Sequence, residues 1–327
     1  MQIKILSLTV KNGGALKDVK IDFTDNEQSQ SVIVLGGANG SGKTTVLELI
    51  FALLELFKIS DIRNMRLMQT EYAEIELLID RKTTHVFFDN PAVLTEAISQ
   101  GNKYGIRLNR VNNDWRTQTS EMSQQMYDSI MLNEGKPINL SSKQTNTIPS
   151  ILYFPHHREL LPVTGEQIHR EEIKYQWCYR YQNLSSFSGS LESHLIWLDY
   201  AEPEIFQSVI DFLNQLDFEG KTFHIHRKTL SVIVKTRDGS THAFDKLSSG
   251  EQNILILLLE LYRRLIPGSI VLLDEIENSL HPAFQHRLAQ NLLQLQRQIP
   301  FQLILTTHQP AFVKIFGENG TRILTEF

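Results

Sequence analysis

Two kinds of apolar pattern alternate along the chain. The first is a short, almost wholly apolar run rich in β-branched residues, found at 31–35, 151–154, 270–273 and 302–306. Such runs are typical of strands that are buried on both faces of a sheet. The second is an apolar residue every three or four positions, found over 43–57, 254–265 and 284–295. This spacing predicts amphipathic helices, and we therefore expect an α/β fold with a mainly parallel central sheet.

Alternation of apolar and polar residues marks the first part of the chain. It predicts strands, each with one face on a core, over 2–10, 18–23, 72–80 and 84–89. The turn signal Gly13-Gly14 separates the first two of these strands. We expect an antiparallel sheet in this N-terminal region, beside the central sheet.

The middle of the chain changes character. Residues 112–150 are rich in Asn, Gln, Ser and Thr without a sustained period, which predicts a long loop or a mobile insertion. Helical spacing dominates 166–216, and a strand hairpin is predicted over 222–236. We expect three parts: an N-terminal lobe over 1–95, a mixed insertion over 96–243, and a C-terminal lobe over 244–327.

Composition and charge narrow the function classes. Lys plus Arg number 32 and Asp plus Glu number 37, giving a net charge of −5, so nucleic acid is not indicated as a ligand held by bulk charge and any contact would be local. The single cysteine, Cys178, excludes an intrachain disulfide and disfavours a cysteine zinc site. The longest apolar stretch, 254–259, is too short to span a bilayer. We expect a soluble, cytoplasmic protein.

A glycine-rich segment between a predicted strand and a predicted helix carries the clearest chemistry. It fits G-x-x-x-x-G-K-[ST] and consists of Gly37, Ala38, Asn39, Gly40, Ser41, Gly42, Lys43 and Thr44, followed by Thr45. The glycines let backbone N–H groups point at phosphate oxygens, and the helix directs its positive end at the same anion. We expect Lys43 to reach the β and γ phosphates and Thr44 to bind Mg²⁺. A chance glycine-rich turn is the alternative, and the flanking strand and helix disfavour it.

Two adjacent carboxylates follow another buried strand, at 274 and 275. Asp274 at the carboxyl end of the strand is where a magnesium ligand is expected, directly or through water. Glu275 is then placed to polarise the water that attacks the γ-phosphate. Ordinary solvated acids at a strand end are the alternative, which a phosphate loop in the same chain disfavours.

Three further segments resemble one superfamily. Residues 247–252 read LSSGEQ and resemble the signature of ABC ATPases in the form found in the SMC/RecF-like group. Residues 274–282 resemble the Walker B motif and D-loop of stand-alone AAA-type, ABC-like ATPases, which are relatives of the overcoming-lysogenization-defect nucleases. The segment at 306–308 resembles their switch histidine. The chain is thus similar to a P-loop NTPase of the ABC-type ATPase head class.

The resemblance implies that two heads enclose two ATP molecules with Mg²⁺. Each signature, here Ser248, Ser249, Gly250 and Glu251, would then face the γ-phosphate held by the other copy. A simple helix N-cap is the alternative for the serines. His308 is expected to sense the γ-phosphate, although a core histidine would fit the same pattern.

Several polar residues stay unassigned by the sequence. Residues 154–159 resemble a segment of related ATPases, so Arg158 either reads the nucleotide or signals to the insertion, or it is an ordinary surface charge. Adjacent histidines point in different directions along an extended chain, so His156, His157 and His169 do not favour a metal site. The residue that acts as the glutamine-loop ligand and the role of His281 are open.

Three functions fit these observations. The first is an ATP-hydrolysing homodimeric switch for a separate effector protein, such as a nuclease or toxin, in prokaryotic anti-phage defence or DNA maintenance. The second is the ATPase subunit of a membrane ABC transporter, which the polar stretch 112–150 disfavours. The third is a nucleotide-gated scaffold with little turnover, which intact Lys43, Asp274 and Glu275 disfavour.

Overall fold

The structure is a computed structural model. It describes residues 1–25, 28–58, 67, 69–89, 103–109, 114–118, 121–138, 148–158, 173–182, 191–215, 220–277, 280–317 and 320–324.

The strands and helices are numbered in chain order. The strands are β1 (Ile3–Gly13), β2 (Leu16–Asp22), β3 (Thr24–Asp25), β4 (Gln28–Ser29), β5 (Val32–Gly37), β6 (Thr70–Ile79), β7 (Lys82–Asp89), β8 (Lys103–Asn109), β9 (Asp114–Gln118), β10 (Ile151–Phe154), β11 (Cys178–Arg180), β12 (Thr222–His226), β13 (Ser231–Lys235), β14 (Thr241–Ala243), β15 (Ile270–Leu273), β16 (Gln302–Thr307) and β17 (Thr321–Leu324). The α-helices are α1 (Lys43–Glu55), α2 (Glu121–Asn133), α3 (Leu191–Ala201), α4 (Pro203–Gln215), α5 (Ser249–Arg264), α6 (Pro282–Gln298) and α7 (Pro310–Phe316).

A six-stranded parallel sheet forms the centre of the molecule, in the order β11-β10-β15-β16-β5-β17. Every residue of β10, β15 and β16 is buried, as expected for strands covered on both faces. Because neighbouring strands run in the same direction, their carboxyl ends open at one edge. The loops after β5, β10, β15 and β16 therefore meet there.

Two apolar cores lie on the two faces of this sheet. Alternate residues of β15 point to opposite sides, so Ile270 and Leu272 join one core while Val271 and Leu273 join the other. The first core contains α1 and residues of β1, β2, β6 and β7. These strands belong to the N-terminal sheet, whose order is β2-β1-β6-β7-β8-β9. The second contains α3 to α6 and the small antiparallel sheet β12-β13-β14.

The predicted fold class is confirmed. The mainly parallel central sheet and the N-terminal sheet are both present, and the latter is antiparallel except for the β7–β8 pair. The predicted strand at 270–273 has the observed bounds. The interval 96–243, expected to form an insertion, supplies strands to both sheets. In the described parts of the chain, no helix combines the length and apolar character needed to cross a bilayer.

One prediction for the middle of the chain is wrong, and a second holds for only part of its interval. The interval 112–150 contains β9 and the helix α2 rather than only a loop. Met126 and Ile130, four positions apart on α2, are buried. The interval 166–216 contains predicted helical structure in α3 and α4, whereas residues 178–180 form β11, an unpredicted strand beside β10. Buried Trp177 and Tyr181 flank this strand in the sequence.

Candidate functional site

The glycine-rich loop connects β5 to α1, and two of its glycines need the left-handed backbone region. Gly40 has φ +82° and Gly42 has φ +88°. Residues with a Cβ rarely adopt this backbone conformation. A Cβ on Gly42 would also lie 2.5 Å from Leu16 Cδ2. Gly42 is the N-cap of α1 and has no side chain to bond the first-turn N–H groups. The positive end of this helix is therefore left for an external anion.

Lys43 is buried within this loop. Its Nζ donates to the carbonyl oxygens of Gly37 and Ala38, at 2.9 and 2.7 Å. Burial lowers the pKa of its ammonium, although the carboxylates of Glu275, Glu277 and Asp274 oppose that shift. The carbonyl bonds hold the ammonium at the loop, where phosphate oxygens would be stronger partners.

Thr44 lies directly against Asp274. The threonine Oγ1 donates to both carboxylate oxygens at 3.0 Å, and Thr306 Oγ1 donates to Asp274 Oδ1 at 2.7 Å. These contacts follow from the sheet order, since β15, β16 and β5 are neighbours. A hydroxyl beside a buried carboxylate provides the hard oxygen donors that Mg²⁺ prefers, so these residues fit the ion.

Thr44 and Asp274 alone do not fill the coordination shell of Mg²⁺, and nucleotide phosphates and water are ligands that the ion commonly adds. Among the residues that the structure describes, no group of three or more His, Cys, Asp and Glu side chains is placed to hold a metal ion. That arrangement matches magnesium sites in which the protein supplies one or two carboxylates and substrate phosphates supply the rest.

Glu275 and His308 face each other across the same edge. The backbone of Glu275 has φ +45°, and its N–H donates to Thr306 Oγ1 at 2.7 Å. Its side chain is 39% exposed and Oε1 lies 3.8 Å from His308 Nε2. His308 Nδ1 lies 3.0 Å from the Gly37 carbonyl oxygen, a contact that requires a proton on Nδ1. The imidazole is thus held by the phosphate loop with Nε2 toward Glu275.

Glu277 joins the site although no role for it was predicted. One of its carboxylate oxygens accepts the backbone N–H of His308, while Oε2 is buried without a hydrogen-bond partner. The predicted D-loop continues through 278 and 279, which lie outside the described residues. His281 has a local role, since its Nδ1 accepts from the Ala283 N–H at 3.4 Å and caps α6.

Arg158 is buried, so its interpretation as an ordinary surface charge is wrong. Its guanidinium donates to the carbonyl oxygens of Pro155, Asp274 and Glu275 and to Asn253 Oδ1, at 2.8 to 3.3 Å. Burial lowers its pKa to about 10, which leaves it cationic at neutral pH. Arg158 therefore joins the loop after β10, the end of β15 and the helix α5.

The signature residues bond to one another at the start of α5. The Ser248 hydroxyl accepts from the Glu251 N–H at 3.4 Å, and Glu251 Oε2 accepts from the Ser248 N–H at 3.0 Å, which is a capping box. Lys221 Nζ lies 2.5 Å from Glu251 Oε1. Ser248 and Ser249 are exposed and Gly250 is buried. Ser248 is thus an N-cap, as expected under both interpretations of the signature.

The structure brings together the predicted residues of the phosphate loop, Asp274, Glu275 and His308. Within the loop, Ser41 and Thr45 are buried, while Asn39 and Gly40 are exposed. Ser248 and Glu251 instead form hydrogen bonds with each other at the start of α5, and Glu251 also bonds to Lys221. The sequence reasoning missed Thr306 and Glu277. Thr306 was signalled only by its place at the end of the predicted strand 302–306, and Glu277 by its place after the acidic pair.

Comparisons with known proteins agree with this geometry. Residues 81–314, which follow the phosphate loop, match the family model described as "AAA domain, putative AbiEii toxin, Type IV TA system". The chain is 24% identical to "Retron Vc95 probable ATPase" of Vibrio cholerae serotype O1 biovar El Tor, over 94% of this chain and 71% of the relative. It is 36% identical to "Retron Ec83 probable ATPase" of Escherichia coli over 26% of this chain and 17% of that relative.

A solved structure of an SMC head, described as bound to the C-winged helix domain of ScpA, has the same fold. The two superpose with a TM-score of 0.52 at 13% identity, over 95% of this chain and 92% of the other. The family match spans most of the chain and the fold agrees with the phosphate loop and acidic pair. The chain therefore belongs to this AAA-domain family and has the fold of an SMC head.

Proposed function

We propose that this chain binds ATP with Mg²⁺, hydrolyses it, and uses the cycle to open and close a homodimer that acts on a separate effector protein. The observation that carries the proposal is the contact between Thr44 and Asp274, which are 230 residues apart in sequence. It joins the phosphate loop to the acidic pair, so binding and hydrolytic groups share one edge.

The phosphate loop supplies the binding energy. Lys43 exchanges its bonds to two loop carbonyls for stronger, charge-assisted bonds to phosphate oxygens. The uncapped N-terminus of α1 and the loop N–H groups contribute further favourable electrostatics. When bound at Thr44 and Asp274, Mg²⁺ supplies positive charge to the triphosphate.

Glu275 handles the attacking water. Its carboxylate is partly exposed at the edge while its backbone is fixed by Thr306. It accepts a proton as the water oxygen bonds to the γ-phosphorus and the bond to the β–γ bridging oxygen breaks, which leaves ADP and phosphate. His308 directs Nε2 toward the same region and contacts the γ-phosphate.

A second copy of the chain completes each pocket. Ser248, Ser249 and Gly250 begin α5 and offer hydroxyl and N–H groups to the γ-phosphate of the partner. Loss of that phosphate removes the attraction across the interface, so the heads separate. The negative net charge favours a protein partner, and prokaryotic anti-phage defence or DNA maintenance is the setting we propose.

The test compares the wild type with Glu275→Gln. We expect phosphate release to fall at least about 100-fold, since removing an acid–base group costs 10²–10⁴-fold, while ATP stays bound and dimers accumulate in light scattering. Lys43→Ala should lose both ATP retention and dimers, and exposed Glu204→Gln should match the wild type. Equal, low turnover and the same oligomeric state in wild type and Glu275→Gln would disprove the switch.

The effector needs a separate experiment. We expect purification of Glu275→Gln from its native host with ATP to retain a specific protein that Lys43→Ala does not retain. Recovery of an integral membrane protein instead would favour the transporter function.

A further inference from the structure

We propose that His156 is a direct ligand of the divalent cation at the phosphate loop, and that this imidazole shifts the metal preference of the site toward Mn²⁺ and Co²⁺. The proposal rests on the proposed function, because the ion it concerns is the one that accompanies ATP. It differs from a site built from several histidines, which the sequence disfavours.

The sheet brings His156 to the acidic pair. Strand β10 lies beside β15 in parallel, with Phe154 opposite Leu273. The Asp274 N–H donates to the Phe154 carbonyl at 2.9 Å. The segments that follow β10 and β15 therefore begin side by side. His156 follows Phe154 by two residues, and its Nδ1 lies 3.7 Å from Asp274 Oδ2.

The backbone around His156 is fixed. The carbonyl of Pro155 accepts from the buried Arg158 guanidinium at 2.8 Å, and that guanidinium also bonds the Asp274 carbonyl at 3.2 Å. The imidazole itself is 57% exposed. The loop that carries the imidazole is therefore anchored beside Asp274, with the imidazole at the open edge of the site.

The donor atoms converge on one small region. Asp274 presents Oδ2 to His156, and Thr44 contacts both of its carboxylate oxygens. Metal–nitrogen and metal–oxygen bonds are about 2.0–2.2 Å long, so neighbouring ligands of an octahedral ion are about 3 Å apart. A closure of less than about 1 Å between Nδ1 and Oδ2 meets that condition.

The alternative is a plain ion pair between a charged His156 and Asp274. In that case the imidazole would carry a proton on Nδ1 and could not bind a metal through it. The two cases differ in whether nitrogen enters the coordination shell of the ion, which spectroscopy reports directly.

The chemistry of imidazole sets the expected selectivity. Oxygen donors suit Mg²⁺, whereas imidazole suits the later first-row ions, whose affinity rises from Mn²⁺ to Co²⁺. His156→Gln exchanges the nitrogen for an amide oxygen. We expect its Co²⁺ affinity in the presence of ATP to fall about 10-fold or more, the lower end for changes around a metal ligand, with a smaller change for Mg²⁺.

The experiment uses Glu275→Gln protein loaded with ATP and Mn²⁺, observed by electron spin echo envelope modulation. We expect ¹⁴N modulation from a coordinated imidazole. It should disappear in the added variant His156→Gln and persist with His157→Gln, the adjacent control, and with His308→Gln, the other imidazole at the site.

Each outcome decides the proposal. Bound Mn²⁺ and ATP without ¹⁴N modulation in the parent, or modulation that survives His156→Gln, would overturn the ligand assignment and leave the ATPase function standing. Failure of the parent to bind Mn²⁺ in an ATP-dependent way would overturn the proposed function and this proposal with it. Thermal unfolding of each variant shows whether a lost signal reflects a lost fold.

Discussion

The N-terminus of α1 and the N-terminus of α5 are both proposed to meet phosphate, but their polar groups are satisfied in opposite ways. Helix α1 begins after Gly42, which has no side chain to cap it. Helix α5 begins after Ser248, which shares a reciprocal capping box with Glu251. The first helix end is left for an external anion, and the second is already bonded within its own turn.

The range of the supporting contacts differs too. Around α1, Thr44 meets Asp274 across 230 residues and His308 meets Gly37 across 271. Around α5, the capping box spans three residues and Lys221 lies 30 residues from Glu251. The site at α1 thus requires the whole fold, whereas the cap at α5 is largely local. Perturbing the long-range contacts should damage the first site most.

The largest expected effect is that of Arg158→Leu. It leaves three carbonyls and the Asn253 amide oxygen without their buried donor, and we expect a loss of about 4 kcal/mol in unfolding free energy. The measurement is urea unfolding. The matched control is Arg227→Leu, which removes a bidentate bond to Asp199 at the surface and should cost much less than Arg158→Leu. Similar losses for both arginines would contradict the assigned role.

A smaller loss of unfolding free energy is expected in helix α5 when the pH is lowered. Burial raises the pKa of Glu260, but the adjacent Arg263 and Arg264 outweigh it and lower the pKa to about 2. Because the folded pKa is below the unfolded value, the stabilisation is present above about pH 4.5 and is lost as the pH falls toward 2. Glu260→Gln should cost about 3 kcal/mol at pH 7 and remove this part of the pH dependence.

Denaturant unfolding at pH 7, 4.5 and 3 tests that expectation. The Glu260→Gln deficit should be largest at pH 7 and shrink at pH 3. Exposed Glu204→Gln serves as the control that should follow the wild type at every pH. A deficit that is constant with pH would show that the carboxylate charge of Glu260 does not stabilise α5.

The smallest expected effect separates the cap from the ligand at Ser248. Ser248→Ala should cost about 1 kcal/mol in unfolding free energy, whereas Ser248→Asn keeps an N-cap oxygen and should cost little. Both lack the hydroxyl, so both should weaken ATP-dependent dimers in the Glu275→Gln background, as measured by light scattering. Undiminished dimers in both variants would assign Ser248 to capping alone.

The sequence predicted well those features that local pattern determines. The apolar run at 270–273 predicted a buried strand, and the glycine spacing at 37–44 predicted the connection between a buried strand and a helix. Strand β11 was not predicted, because a pattern of three residues is too short to distinguish from the surrounding helical spacing. The burial of Arg158 and the hydrogen bond from the His308 N–H to Glu277 were also not predicted. Both depend on which strands become neighbours in the folded sheet.

The position of β5 has a consequence for how the protein is made. Its two neighbours, β16 and β17, come from the last strands of the chain, and Gly37 lies 271 residues before His308. At a synthesis rate of about 5–20 residues per second, roughly 15 to 50 seconds separate them on the ribosome. The loop proposed to hold ATP thus emerges before either sheet neighbour of β5, and a nascent chain released before residue 302 lacks both of these neighbours.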